Sequence, residues 1–147
     1  MSRVFVRRVD PSPAVQSDPV WKLIYGIRHR VFIVEQGVAP EIEIEFEEAA
    51  THYLAELDGR AVGCGRWRAT DKGHKVERVA VLGDVRGASV GKILMERILE
   101  DLAAIDARRI YLSSQTQAAP FYERLGFRPE GGIYEEAGIP HVLMVRA

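Results

Sequence analysis

Cysteine, charge of one sign and long apolar runs are what this sequence has least of. Its 147 residues contain one cysteine, Cys64, which can form no internal disulfide and no multi-cysteine zinc site and suits a reducing, cytoplasmic compartment. Lys and Arg number 20 against 21 Asp and Glu, a formal net charge of −1. Nucleic-acid phosphates are held largely by counterion release at clustered cations, so this balance excludes general nucleic-acid binding. The longest apolar runs, such as Val79-Ala80-Val81-Leu82 and Val142-Leu143-Met144-Val145, fall far short of the roughly 18 residues a membrane span needs. The start of the chain alternates arginine with Val4, Phe5, Val6 and Val9; without an apolar stretch of signal-peptide length it reads as mature protein. No internal repeat or dividing linker occurs. With 47% apolar and 28% charged residues, one globular domain over residues 1–147 is expected.

Apolar periodicity organises that domain. Residues 3–9 read as a strand stopped by Pro11 and Pro13, and residues 20–34 as a helix with Val20, Leu23, Ile24, Ile27, Val31 and Val34 on one stripe. Residues 41–48 alternate glutamate with Ile42, Ile44 and Phe46, which suits a short edge strand or an irregular acidic loop. Asp58-Gly59, between apolar runs at 52–57 and 61–69, is a hairpin signal because a type I′ turn needs positive φ at both positions. A strand at 75–82, a long amphipathic helix at 90–105 and a strand at 109–112 make a parallel βαβ unit. Residues 118–125 read as a short helix closed by Gly126, and 127–134 with 139–145 as a final antiparallel pair. The expected class is α/β with a mixed sheet.

The most informative stretch is Gly83-Asp84-Val85-Arg86-Gly87-Ala88-Ser89-Val90-Gly91-Lys92, which joins a strand to the long helix. The first N–H groups of a helix lack intrahelical partners and the macrodipole makes that end positive, so a pyrophosphate fits such a junction. The plainer alternative is that the glycines shape a βα turn and Ser89 caps the helix. Neither a Walker A loop nor a G-x-G-x-x-G fingerprint is present.

This turn resembles that of the GNAT superfamily of acyl-CoA-dependent N-acetyltransferases, whose coenzyme A motif reads Arg/Gln-x-x-Gly-x-Gly/Ala. Arg86-Gly87-Ala88-Ser89-Val90-Gly91 matches it, with Ser89 standing where glycine is usual. Within the superfamily the chain resembles the small ElaA-like group, through Arg28-His29-Arg30-Val31-Phe32-Ile33-Val34-Glu35-Gln36, the acidic stretch before His52, Phe121-Tyr122-Glu123-Arg124-Leu125-Gly126-Phe127 and Glu136-Ala137-Gly138-Ile139-Pro140-His141. The likeness covers roughly residues 3 to 146. It implies a GNAT-like mixed sheet of six or seven strands with a central β-α-β coenzyme-A-binding unit and flanking helices. It also implies transfer of acetyl from acetyl-CoA to a primary amine by direct attack in a ternary complex.

By resemblance, Val79, Ala80 and Val81 offer backbone to the pantetheine arm, where the strands on either side of the βαβ crossover splay. Arg86, Gly87, Ala88, Ser89, Val90, Gly91 and Lys92 hold the phosphates, and Gln115 stands near the position where relatives carry a pantetheine-contacting asparagine. A strand N–H near Val81 would stabilise the thioester oxyanion. Tyr122, otherwise a core-edge aromatic, would protonate the departing thiolate, because a phenol stays protonated at neutral pH. Only about one alkylamine in 2,500 is neutral at pH 7, so a base is needed. Glu77 on the central strand, Glu35 and Gln36 after the first helix, His52, His141 or an ordered water could each take that proton; Glu77 is counted with the catalytic residues, and Glu35, Gln36, His52 and His141 also with those that bound the acceptor cleft. No metal is expected, since His29, His52, His74 and His141 show no paired ligand spacing. Glu41, Glu43, Glu45, Glu47 and Glu48 could attract a cationic acceptor or simply solvate an edge. The partner expected is a small-molecule or peptide amine, with neither nucleic acid nor membrane and a homodimer as the assembly to test. A non-catalytic acyl-CoA-binding sensor is the alternative function.

Overall fold

The computed structural model describes residues 3–12, 19–38, 47–87 and 89–146. Seven strands form one mixed sheet: β1 (Val4–Val9), β2 (Thr51–Leu57), β3 (Arg60–Thr70), β4 (Gly73–Val81), β5 (Ile110–Gln115), β6 (Arg128–Glu136) and β7 (Ile139–Arg146), in the order β1-β2-β3-β4-β5-β7-β6. Only β4 and β5 are parallel. Their crossover helix, α2 (Val90–Ala104), packs on one face of the sheet, and α1 (Pro19–Arg28) lies on the other. A short α3 (Ala119–Glu123) follows β5. Glutamates 41, 43 and 45 and Ala88 lie outside the described residues.

Each face is closed by the helix that the periodicity marks. Leu94, Met95, Ile98 and Leu102 of α2 are buried against Tyr53, Val62, Val76, Ile110, Leu112 and Met144. The helix can lie close because β3 carries glycine there: a Cβ on Gly63 would stand 3.1 Å from Val90 Cγ1, and one on Gly65 3.2 Å from Ile98 Cδ1. Opposite, Ile24, Ile27 and Val31 pack on Leu54, Cys64 and Ala80. Asp58 and Gly59 take φ of 51° and 86°, the pair of positive values the β2–β3 turn requires.

Two sequence expectations change. The helix at 20–34 stops being α-helical at Arg28 and continues as a π-helical turn, His29–Glu35. The wider turn rotates Val34 out to 64% exposure, and Leu23, also on the expected stripe, is 49% exposed. The strand expected at 109–112 runs on to Gln115, because pairing with β7 (Ser113 with Leu143, Gln115 with His141) carries its polar end. Of the segment 41–48, residues 41–46 lie outside the described residues, and Glu47 opens a 3-10 turn, Glu47–Ala49.

A buried polar network ties the central layers together. Trp67 Nε1 donates to Tyr53 Oη at 3.0 Å and Tyr53 Oη donates to Asp101 Oδ2 at 2.8 Å, linking β3, β2 and α2. Burial, with Asp101 beside it, pushes the Tyr53 phenol well above its ordinary value, so it remains a donor. Tyr53→Phe leaves the indole N–H without its acceptor and should lower the unfolding free energy by about 1–3 kcal/mol. Urea titrations with an unchanged m-value check this; parent-like stability would show that the network contributes nothing net.

Candidate active site

β4 and β5 are in parallel register only at His74 with Ile110 and Lys75 with Tyr111. Beyond those pairs β4 continues to Val81 and β5 to Gln115, and the strands part around a cavity of about 820 Å³. That volume is in the range of small-molecule sites. The β4 edge is also bulged: its register with β3 passes from Ala80 opposite Cys64 to Glu77 opposite Arg66, with Arg78 held at φ 55°. The Cys64 thiol lies 3.8 Å from the Arg78 carbonyl oxygen, so this small buried residue fits beneath the bulge. Leu82 N–H donates to Val62 O at 2.9 Å, which turns Leu82 toward β3 and therefore Val81 N–H and C=O toward the gap. Val79, Ala80 and Val81 all line the cavity.

At the end of β4 the chain makes a 3-10 turn, Gly83–Val85, and then enters α2. Gly87 takes φ 97°, with open space where a Cβ would stand. Ser89 is left-handed at φ 63°, and its side chain makes no capping hydrogen bond. The first N–H groups of α2, from Val90, Gly91 and Lys92, therefore lack a side-chain cap at the positive end of the helix. A Cβ on Gly91 would lie 3.4 Å from Phe121 Cζ, an ordinary contact. Arg86 folds back: Nε donates to Val81 O at 3.0 Å and Nη2 pairs with Glu35 Oε2 at 3.0 Å.

Tyr122 lines the cavity from α3, packed edge-on against Phe121 at 5.0 Å and Phe127 at 6.0 Å. Gly126, at φ 93°, closes this helix as the sequence predicts, and Phe127 N–H returns to Tyr122 O at 3.1 Å. Its hydroxyl has no hydrogen-bond partner among the described residues. Burial among the rings pushes its pKa up to about 12, so the phenol stays protonated throughout the physiological range.

The other wall is polar. The π-helical turn spans the mouth: Glu35 pairs with Arg86 beyond β4, and Gln36 accepts from Gln115 Nε2 at 2.8 Å at the end of β5. Gln117 donates in turn to Gln115 Oε1. On the same face, Ser113 Oγ donates to Glu136 Oε2 at 2.6 Å and stands 2.5 Å from Tyr134 Oη, which must then be the donor to Ser113. His141 Nδ1 is 2.7 Å from Ile139 O, and its Nε2 is 3.7 Å from Glu136 Oε2.

Glu77 sits on the cavity floor with its side chain only 7% exposed. Its carboxylate meets Arg66 at 2.9 Å, Arg68 at 2.6 Å and Lys75 at 3.5 Å. Burial alone would raise its pKa, but the Arg66 charge, the Arg68 hydrogen bond and the Lys75 charge outweigh that and hold it below the usual carboxylate range. A carboxylate so engaged is a poor proton acceptor, in contrast to the catalytic role the sequence suggested.

The fold thus brings Tyr122, Glu77, Val79, Ala80, Val81, Arg86, Gln115, Glu35, Gln36 and His141 to one cavity, with Gly87, Ser89, Val90, Gly91 and Lys92 at the adjoining helix start. His52 is the exception. It is buried on β2 with Trp21 edge-on at 5.8 Å and is not part of the cavity wall, because its face of the sheet lies under α1. Sequence reasoning missed Ser113, Tyr134 and Gln117. The alternation of Ser113 with Gln115, and of Tyr134 with Glu136, was the available signal that these side chains share a face.

Residues 24–147 match the family described as acetyltransferase (GNAT) domain. The Bacillus subtilis (strain 168) protein named uncharacterized N-acetyltransferase YjcF is 39% identical over 124 residues, covering 83% of this chain and 89% of its own. Protein ElaA of Escherichia coli (strain K12) is 32% identical over 127 residues, 82% of each chain. The Escherichia coli ElaA crystal structure superposes with a TM-score of 0.84 at 26% identity, over 99% of this chain and 100% of that one. A GNAT family acetyltransferase from Elizabethkingia anophelis, solved with acetyl-CoA bound, shares the fold at a TM-score of 0.71 and 13% identity, over 97% of each chain. With the parted parallel strands, the bulge and the uncapped helix start already in view, the match over most of its length establishes that this chain belongs to the GNAT acetyltransferase family.

Proposed function

We propose that the protein transfers acetyl from acetyl-CoA to a primary amine, on a small molecule or a peptide, by direct attack within a ternary complex. The observation that carries this is the parting of β4 from β5, which turns Val81 N–H into a cavity walled on one side by an unpartnered phenol and on the other by polar groups. Each part suits one portion of the donor. The N–H groups of Val90, Gly91 and Lys92 face a pyrophosphate, with Gly87 leaving room for close approach. The open edge of β4 offers main-chain groups to the amide-bearing pantetheine arm, and the Arg86 side chain, bonded to Val81 O, caps that edge. Val81 N–H is aimed to stabilise the oxyanion that forms when the amine attacks the thioester.

Tyr122 supplies the proton to the leaving thiolate. The burial that weakens the phenol as an acid also raises the basicity of a thiolate leaving into the same apolar pocket, so the proton transfer stays matched. Glu77 orders the floor by drawing Arg66, Arg68 and Lys75 onto one carboxylate. The acetyl-CoA bound to the Elizabethkingia anophelis protein supports the same donor here.

The direct test is release of free coenzyme A across a panel of amines, peptides and aminoglycosides; binding of acetyl-CoA without release on any of them would point to a sensor instead. Two variants separate the roles. Gly91→Asp places a carboxylate at the helix start without a steric clash and should weaken acetyl-CoA binding at least tenfold by calorimetry, about 1.4 kcal/mol; an unchanged Kd removes the turn from the donor site. Tyr122→Phe keeps the ring packing and should lower kcat by about 10² while leaving that Kd nearly unaltered, whereas turnover at the parent rate would make Tyr122 structural.

Glu77 has its own pH signature. Its folded-state pKa lies below the unfolded value of about 4.3, so its ion pairs contribute stability that is fully present above that pH and lost as pH falls through the lower folded value. Glu77→Gln should cost about 3 kcal/mol near pH 7, with parent and variant urea midpoints converging on acidification below about pH 4. A constant offset between them at every pH would mean that the loss is not ionic.

A further inference from the structure

Transfer to an amine needs a group that takes a proton from the acceptor, since an alkylammonium is almost fully charged at neutral pH. Most candidates in the cavity are already engaged. Glu77 is held by three cations and Glu35 by Arg86, while Gln36 has no basic atom. His141 differs. It stands on β7 opposite Gln115, lines the cavity, and has its side chain 10% exposed. Ile139 O, 2.7 Å from Nδ1, can only accept, so Nδ1 carries the hydrogen and the neutral ring presents its lone pair at Nε2.

The surroundings fix the ring in place. Glu136 Oε2 is 3.7 Å from Nε2, too far for a hydrogen bond but on the side of the ring where the lone pair lies. Ser113 fixes that oxygen with its own hydrogen bond, and Tyr134 both donates to Ser113 and stacks on the His141 ring at 6.3 Å and 27°. Ala137 and Gly138, at φ 51° and 76°, set the register that puts Tyr134, Glu136, Ile139 and His141 on one face. The other titratable or charged groups lining the cavity are Glu35 and Arg86 at its mouth, Arg68, Lys75, Glu77 and Arg78 on β3 and β4, and Tyr122.

We propose that His141 Nε2 is the general base of the transfer, with Glu136 and Ser113 as positioning residues; this rests on the acetyltransferase reading above. The acceptor ammonium gives one proton to Nε2, and the free amine attacks the thioester carbon. The new C–N bond forms and the C–S bond breaks. The thiolate takes the Tyr122 proton, and the surplus proton on the amide nitrogen restores the phenol. The sum is amide, free coenzyme A and one proton held by His141, released to solvent when the product leaves.

The test uses acetyl-CoA with whichever panel amine the parent turns over fastest, followed as kcat/KM against pH. His141→Asn keeps an amide N–H near the Nδ1 position and removes Nε2, so the fold and acetyl-CoA binding should persist. Its kcat/KM at pH 7 should fall about 10²-fold, and the acidic limb of the profile that belongs to the base should vanish. Glu136→Gln should lower kcat while leaving the KM for the amine and the Kd for acetyl-CoA nearly unchanged, and Ser113→Ala should do the same by less. Parent-like kcat/KM and an intact acidic limb in His141→Asn, with acetyl-CoA still bound, would overturn the proposal. A parent-like kcat in Glu136→Gln would remove the positioning role. If the parent itself releases no coenzyme A with any amine, the acetyltransferase reading fails, a result distinct from either.

Discussion

The active cleft depends on a break in one parallel strand pair. Parallel strands normally satisfy every second backbone group through their neighbour, and β4 and β5 do so for only two residue pairs before they part. Such a gap exposes main-chain groups that would be costly to bury without partners. Two features keep it open. The bulge at Arg78 bends β4 away, and Arg86 satisfies Val81 O with its guanidinium so that the carbonyl needs no strand. The Val81 N–H, turned into the same gap, is the group the proposed reaction uses for its oxyanion.

Much of the irregular backbone gathers around this break, although β2 at Ala55/Glu56 and β6 between Glu130 and Tyr134 also shift register. The π-helical turn, the left-handed Arg78 and Ser89, and the polar run-out of β5 all border the cleft or the adjoining start of α2. Each departs from the locally preferred geometry, and such departures persist only where surrounding packing over-determines them. Here that packing is the α2 face, with Leu94, Met95, Ile98 and Leu102 fully buried, and the ties from the π-helical turn to both parted strands. The π turn matters because it places Glu35 and Gln36 in succession over the mouth, where one reaches Arg86 and the other Gln115.

The regular elements were legible because one period or one turn chemistry decides them. The stripe of α2 and the Asp58-Gly59 turn leave no competing structure. The irregular ones were not, because the interaction that sets them is distant in sequence. Val31 and Val34 keep helical spacing whether the hydrogen bonds are α or π, so periodicity could not show that Val34 turns outward. Ser113 and Gln115 read as the end of a strand because they are polar, yet β7 holds them in one. Glu77 carried the residue type of a base, but its character depends on Arg66 and Arg68 across the bulge, eleven and nine residues away. His52 and His141 look alike in sequence. The helix covering one and not the other distinguishes them.

Acid and base chemistry in one cavity requires two environments that push protons in opposite directions, and the two walls differ in that way. Tyr122 lies between Phe121 and Phe127 with no polar partner among the described residues, so forming a phenolate there is disfavoured until a stronger proton acceptor is generated beside it. In the proposed reaction that acceptor is the thiolate, which exists only after attack. The opposite wall is polar, with a carboxylate, two hydroxyls and an imidazole linked through β5, β6 and β7. The open strand edge separates the walls. Because both are anchored to the same sheet, the groups proposed as proton donor, oxyanion site and proton acceptor are held in relative position by strand pairing before either substrate binds.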